Sequence, residues 1–246
     1  MRWGMTNPLR VLSFGGGLQT TACAILMVQG KIQADIVVFA DTGGEKPDTY
    51  WYMEHYTEPL FATLGIPFHK IKKKDEGGLS LYDWMWKYSD IPWVGSRQCS
   101  AMFKRRPVTQ FVGKEAIQMI GFSADEAKRA DKPIHKDKVF PLIELGLSST
   151  DCRRIIENYG WSIPLKSSCF FCPFQRFTEW NWLRGEYPEL WEKALALEAR
   201  FHERKPHLRN SVGLFGGGPL GHLIERKQPL LFRTQENSCW DGQCGH

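Results

Sequence analysis

The sequence predicts an α/β protein built on a doubly wound parallel sheet, followed by a helical, cysteine-containing C-terminal part. Short apolar runs alternate with helix-like stretches through the first half of the chain, the pattern of βαβ units. The run Ala34–Ala40 is apolar without alternation, as in a strand covered on both faces. From about Ser148 onward the pattern turns helical. The boundary expected from this change separates residues 1–147, an α/β nucleotide-binding domain, from residues 148–246, a helical region ending in a Gly- and Cys-containing tail.

In chain order, Arg10–Phe14 is a short apolar strand ended by Gly15-Gly16-Gly17, and Leu18–Gln29 reads as a helix. Ala34–Ala40 is the second strand, Asp48–Leu64 a helix and Pro67–Lys72 the third strand. Val108–Ala116 reads as a helix leading into a strand at Gln118–Phe122. Thr150–Tyr159 and Trp180–Arg204 are the clearest later helices. Two cysteines, Cys239 and Cys244, close the Gly/Pro-rich tail.

The chain has 246 residues, 42% hydrophobic and 24% charged, an ordinary globular balance. A net charge of +5 suits phosphate-bearing ligands without demonstrating nucleic-acid binding. No apolar run approaches the roughly 20 residues of a membrane helix, and no signal-peptide core precedes the first strand, so a cytoplasmic location is expected. In a reducing compartment the seven cysteines read as metal ligands, redox groups or core residues rather than disulfides.

The segment Ser13-Phe14-Gly15-Gly16-Gly17-Leu18-Gln19-Thr20-Thr21 carries the first chemistry. Glycines bring backbone N–H groups close to an anion, the helix N-terminus favours negative charge, and Ser13, Thr20 and Thr21 add hydroxyls. It is neither a Walker A loop nor a Gly-x-Gly-x-x-Gly fingerprint. A tight strand–helix turn would use the same glycines. At the end of the second strand, Asp41, Thr42 and Gly43 are placed to face the same crevice, because ligands bind at the carboxyl ends of strands in open α/β sheets. The pair Cys169-Phe-Phe-Cys172-Pro173 has chelating spacing.

These segments resemble the PP-loop ATP pyrophosphatases (adenine nucleotide alpha hydrolase-like), and the phosphoadenosine phosphosulfate reductase-like family in particular. Gly15 to Thr20 is similar to the Ser-Gly-Gly-x-Asp-Ser loop, with Gly15 at the first Ser, Gln19 at the Asp and Thr20 at the last Ser. Asp41-Thr42-Gly43 followed by Pro47-Asp48-Thr49-Tyr50 resembles that family's Asp-Thr-Gly … Pro-Glu-Thr-Tyr. Gly121 to Arg129 resembles its Gly-Ile-Arg-x-x-Glu-Ser-x-x-Arg segment, with Ser123 at the first Arg and Glu126 and Arg129 retained. Phe140–Ile143 is similar to the family's Tyr-Pro-Leu strand, and the resemblance implies a further strand there.

The resemblance implies a nucleotide site formed by the loop, Asp41, Thr42, Gly43, Gly121, Glu126 and Arg129, with ATP and Mg2+ as ligands and Asp41 and Lys104 as catalytic candidates. It also implies a [4Fe–4S] cluster on Cys99, Cys169 and Cys172, Ser100 standing where reductases have a second adjacent Cys. Cys239 or Cys244 would supply a fourth ligand, or the fourth iron would stay open as in tRNA-thiolating PP-loop enzymes. Zinc on the same sulfurs is the rival. Cys23 and Cys152 read as core residues. Cys244-Gly245-His246 partly matches the nucleophile-bearing tail of the reductases, which makes Cys244 a catalytic candidate.

The function expected is ATP-dependent adenylation and sulfur transfer onto tRNA, DNA or a nucleotide, with a cysteine desulfurase-type sulfur donor among the partners. A sulfonucleotide reductase and a non-catalytic nucleotide- or nucleic-acid-binding subunit are the alternatives. The sequence leaves the acceptor and the oligomeric state open.

Overall fold

The structure, a computed structural model, describes residues 8–216 and 218–221. Its centre is a five-stranded, all-parallel sheet in the order β3-β2-β1-β4-β5. The strands are β1 (Arg10–Phe14), β2 (Ile36–Ala40), β3 (Phe68–Ile71), β4 (Ile117–Ile120) and β5 (Lys138–Val139). Successive residues of β1 serve opposite faces. Leu12 and Phe14 enter one core with Val37 and Phe39 of β2, whereas Val11 packs with Val38 and Ala40 on the other face. Both faces are covered, which is why these strands read as unbroken apolar runs.

Helix α1 (Leu18–Val28) connects β1 to β2 and buries Thr21 through Met27. Between β2 and β3 lie α2 (Pro47–Tyr52), a π-helical turn at Met53–Thr57 and α3 (Glu58–Thr63), where the sequence predicted one regular helix. The π register has no sequence period of its own, so only the structure reveals it.

The chain then adds α4 (Leu81–Tyr88), α5 (Gln98–Ser100), a second π turn at Ala101–Arg105 and α6 (Arg106–Val112) before β4. Helix α6 stops at Val112 rather than Ala116, because Gly113 takes φ +82°. After β4 come α7 (Ala127–Ala130), β5, α8 (Pro141–Glu144), α9 (Ser149–Asn158), α10 (Phe177–Glu186) and α11 (Pro188–Arg204).

Two expectations are corrected here. Phe140–Ile143 is not a strand: the pairing ends at Val139 and Pro141 opens α8, a position where its missing N–H costs nothing. The long helix expected over Trp180–Arg204 is two helices broken at Tyr187, because Pro188 cannot continue the hydrogen-bond ladder and instead starts α11. Helix α9, closed at its start by a Ser148–Asp151 capping box, packs Cys152 and Ile156 into the sheet's own core. A second core gathers α4, the Cys99–Phe103 segment, Phe170, Phe171, α10 and α11. Trp180 and Trp191 meet edge to face inside it, with ring centroids 6.0 Å apart.

The sheet order places β2 and β4 on opposite sides of β1. The carboxyl ends of β1 and β4 therefore form the topological switch point, where open α/β sheets leave a crevice.

Candidate functional site

The loop from Gly15 to Gly17 lies at that switch point, and the structure brings the glycine loop, the β2 turn and the cysteine pair together. Gly16 has φ +70°, a conformation that favours glycine, and a Cβ there would lie 2.8 Å from Thr49 Cγ2 and 3.3 Å from Met53 Sδ. A Cβ on Gly17 would lie 2.8 Å from Ser167 Oγ, and one on Gly121 would lie 3.0 Å from Thr20 Cγ2. The loop is thus enclosed by α2, by the Ser167 strand of chain and by the end of β4.

Thr20 Oγ1 accepts the Gly15 N–H at 3.3 Å and donates to the Gly17 carbonyl at 3.2 Å, fixing the loop's shape. Helix α1 begins at Gly17 with no side-chain cap and no acidic residue in its first turn. Among the described residues, the N–H groups of Gly16, Gly17 and Leu18 have no hydrogen-bond partner. Three buried hydroxyls in the neighbouring segments, on Thr21, Thr49 and Ser168, likewise have none. Three consecutive unpaired N–H groups at an uncapped helix N-terminus have the chemistry of an anion cradle.

Gln19, at the position where the resemblance expects Asp, donates to Ser149 Oγ at 3.4 Å. Ser149 is also held by Asp125, at 2.9 Å from its N–H and 2.7 Å from its hydroxyl, and lies 3.0 Å from Ser123 Oγ. Gln19 therefore ties the loop to α9 and to the turn after β4. Glu126 and Arg129 form an ion pair with each other, and Arg129 lies over the Phe122 ring.

At the end of β2, Asp41 accepts the Gly43 N–H at 2.7 Å and the Tyr50 hydroxyl at 2.6 Å, with Lys72 Nζ at 3.6 Å. Burial and the neighbouring Asp41 carboxylate push the Tyr50 phenol well above its ordinary range, so it stays a donor. Gly43 (φ +67°) and Gly44 allow close packing. A Cβ on Gly43 would lie 2.7 Å from Ser80 Cβ, and one on Gly44 would lie 2.9 Å from Phe171 Cε1.

Against Gly44 docks the cysteine knuckle. Glu45 and Cys169 form an antiparallel bridge, the Phe170 N–H reaches the Gly44 carbonyl at 2.8 Å, and the Cys172 N–H reaches the Cys169 carbonyl at 3.0 Å. Cys169 Sγ lies 3.3 Å from Thr42 Oγ1 and 4.0 Å from Glu45 Oε1. Glu45 is a residue that sequence reasoning passed over. Its side chain is 0% exposed, Oε1 accepts from Lys104 Nζ at 2.7 Å, and Oε2 has no partner among the described residues.

Burial works against the charge of Lys104, but Glu45 and the Cys169 sulfur hold its ammonium above the ordinary lysine range. The second residue passed over is Lys46, 3% exposed, whose ammonium sits 5.4 Å from the centre of the Trp182 ring. Burial pulls it below the ordinary lysine range, against the opposing field of Glu179.

The three candidate ligand cysteines share one neighbourhood. Burial raises the thiols of Cys169, Cys172 and Cys99, Glu45 raises Cys169 further, and the field of Cys99 reaches Cys172. Thiols held protonated by burial become thiolates when a cation is bound, so this donor set fits a thiolate-ligated group. Among the described residues, no group of three or more Cys, His, Asp and Glu side chains is drawn together tightly enough to enclose a metal ion. Cys239 and Cys244 lie outside the described residues. Cys23 and Cys152 are fully buried, and burial pushes the Cys152 thiol up to about 12, as befits core residues.

No helix among the described residues is long and apolar enough to cross a membrane. No family model matches the chain. It is 23% identical over 208 residues to the Uncharacterized protein MJ0066 of Methanocaldococcus jannaschii, a match covering 74% of this chain and 40% of that protein. The chain thus spans well under two thirds of the relative it matches. Its structure is similar to the U34-tRNA thiolase NcsA from Methanococcus maripaludis, solved with its [4Fe-4S] cluster, at a TM-score of 0.43 and 13% identity, over 80% of this chain and 73% of that one.

Proposed function

We propose that the chain is an ATP-dependent sulfur-transfer enzyme that adenylates an acceptor oxygen and then replaces it with sulfur. One observation carries the reading: unpaired amides at an uncapped helix N-terminus, packed on Ser167, share the end of the sheet with a knuckle in which Cys169 bridges Glu45 and is followed by Cys172. Phosphate binding and sulfur chemistry thereby share one edge of the sheet.

In this reading the N–H groups of Gly16, Gly17 and Leu18 and the hydroxyls of Thr21, Thr49 and Ser168 receive the phosphates of ATP. Asp41, oriented by Gly43 and Tyr50, is the carboxylate that would hold the accompanying Mg2+. The acceptor's oxygen attacks the α-phosphorus and pyrophosphate leaves. Sulfur then bonds to the acceptor atom, and AMP departs with the oxygen. Adenylation is useful because it converts a poor oxygen leaving group into a good one.

Cys99, Cys169 and Cys172 would hold an iron–sulfur cluster, which when bound supplies a site from which sulfide can be delivered. The chain's own contribution there is positioning. Thr42 and the Glu45–Cys169 bridge fix the knuckle against the β2 turn, and Lys104 balances the buried Glu45 charge. Lys104 acts in this account on Glu45 rather than directly on the nucleotide.

Two measurements on anaerobically purified protein test the proposal. Calorimetry should detect ATP binding, and iron and acid-labile sulfide should accompany the chain and be lost in Cys169→Ala. Protein that binds no ATP, or that carries zinc without iron on the same cysteines, contradicts it.

A further inference from the structure

Between α4, the Cys99–Phe103 segment and the end of α11 lies a cavity of about 370 Å³ that the nucleotide-binding reading does not use. Its size falls near the lower end of the ~300–1,000 Å³ typical of small-molecule pockets. The walls are aromatic and thioether: Trp84, Trp93, Phe103 and Met102. Cys99 lines it as well, so the cavity opens onto one of the three candidate sulfur ligands. Its polar edge is the Asp90–Lys205 pair, with Lys205 Nζ 3.1 Å from Asp90 Oδ1, which presents an acceptor and a donor side by side.

A large indole left at the surface is the second observation. Trp93 is 55% exposed, and no other described aromatic ring pairs with it. Arg97, between the lining residues Ser96 and Gln98, is exposed at the cavity's margin, its guanidinium 4.6 Å from the centre of the Phe174 ring. Flat aromatic walls, mixed donor and acceptor edges and a basic margin together match a base attached to a phosphate backbone. A purely aliphatic ligand would leave the Asp90–Lys205 edge unused, and a free anion would gain nothing from the indoles.

We infer that this cavity receives a nucleobase of a single-stranded nucleic acid, stacked on Trp93, and presents it to the Cys99 side of the sulfur site. The base's chemical fate rests on the sulfur-transfer reading; its binding does not. Stacking on Trp93 would hold the ring, the Asp90–Lys205 pair would read its hydrogen-bonding edge, and Arg97 would take a flanking phosphate.

The test is fluorescence anisotropy of short labelled single-stranded RNA and DNA oligonucleotides on the full chain, with ATP affinity measured in parallel by calorimetry. Trp93→Ala is expected to weaken oligonucleotide binding roughly ten-fold, the scale of one lost base–aromatic stack. Trp93→Phe should restore most of it, and ATP affinity should not change in either variant. Because Trp93 is largely exposed, the fold should tolerate both changes, and circular dichroism checks that they do. The RNA and DNA arms identify which strand is held. Wild-type affinity in Trp93→Ala for both strands, or absence of binding by the wild type, overturns the inference. A parallel loss of ATP binding in Trp93→Ala also overturns it, by assigning the cavity to the adenine of ATP. Oligonucleotide binding that depends on Trp93 in protein that never binds ATP would uphold this inference while removing the sulfur-transfer reading.

Discussion

Removing Lys104 should injure this protein far more than removing the charge of its partner Glu45. The Glu45 side chain is 0% exposed and that of Lys104 is 38% exposed, so the two ends of the ion pair have unequal access to water. In Lys104→Met the carboxylate stays buried without its cation, with Oε2 already unpaired. Losing one partner of a buried pair costs about 3–5 kcal/mol, and partial solvent access on the lysine side places this case near the lower end, about 3 kcal/mol.

In Glu45→Gln, Lys104 can turn its ammonium to solvent, and the loss is about 1 kcal/mol, the scale of one hydrogen bond. At roughly 2–4 °C per kcal/mol for a domain of this size, Tm should fall by roughly 6–12 °C in Lys104→Met and by roughly 2–4 °C in Glu45→Gln. The double variant should be more stable than Lys104→Met alone, because the stranded charge is gone. Thermal melts of the four proteins measure all of this. Equal losses in the two single variants, or a double variant that simply adds them, would refute the idea that Lys104 exists to balance a buried Glu45.

Three further outcomes follow from the site's packing. Gly16→Ala forces a Cβ into a φ +70° position 2.8 Å from Thr49 Cγ2. It should cost about 1–3 kcal/mol and weaken ATP binding, while Thr49→Ser in the same chain relieves the clash but not the backbone strain, as thermal melts and calorimetry can resolve. Gly44→Ala drives a Cβ to 2.9 Å from the fully buried Phe171 ring, so iron content per chain should drop, with Phe171→Leu recovering part of it. Ser149→Ala removes the hydroxyl shared by Asp125, Ser123 and Gln19. It should cost about 1–2 kcal/mol in a urea melt, whereas Gln19→Ala, losing one 3.4 Å contact, should cost under about 1 kcal/mol.

Strands β1 to β4 and the glycine loop were legible in the sequence because they depend on local pattern: an apolar run, then residues without Cβ; the two-residue β5 was not, and was expected two residues later. Helix α4 was legible too and was passed over, although Ser80 and Asp83 form its N-terminal cap and Asp83 donates its N–H to Ser80 Oγ at 3.0 Å. The break at Pro188 was equally written in the chain. Other features were not. The π turns at Met53–Thr57 and Ala101–Arg105 leave no periodic mark, and the second carries Lys104.

Glu45 and Lys104 are 59 residues apart, and nothing local in either segment announces that they meet. Lys46 reads as a surface lysine in a polar turn, because only tertiary packing against Trp182 makes it a buried one. Gln19, which stands at the position of an expected acidic group, is understood only once Ser149 of α9 is seen beside it.

The central claim is that ATP held at the Gly15–Gly17 loop is split between its α- and β-phosphates to activate an acceptor. Incubating anaerobically purified chain with ATP labelled at its α- and γ-phosphates, a sulfide source and a pool of tRNA or single-stranded DNA, then resolving the labelled products, tests it directly. AMP and pyrophosphate should form in step with sulfur appearing in the nucleic acid, both slowed in Gly16→Ala; ATP recovered intact, or converted only to ADP and phosphate, would contradict it.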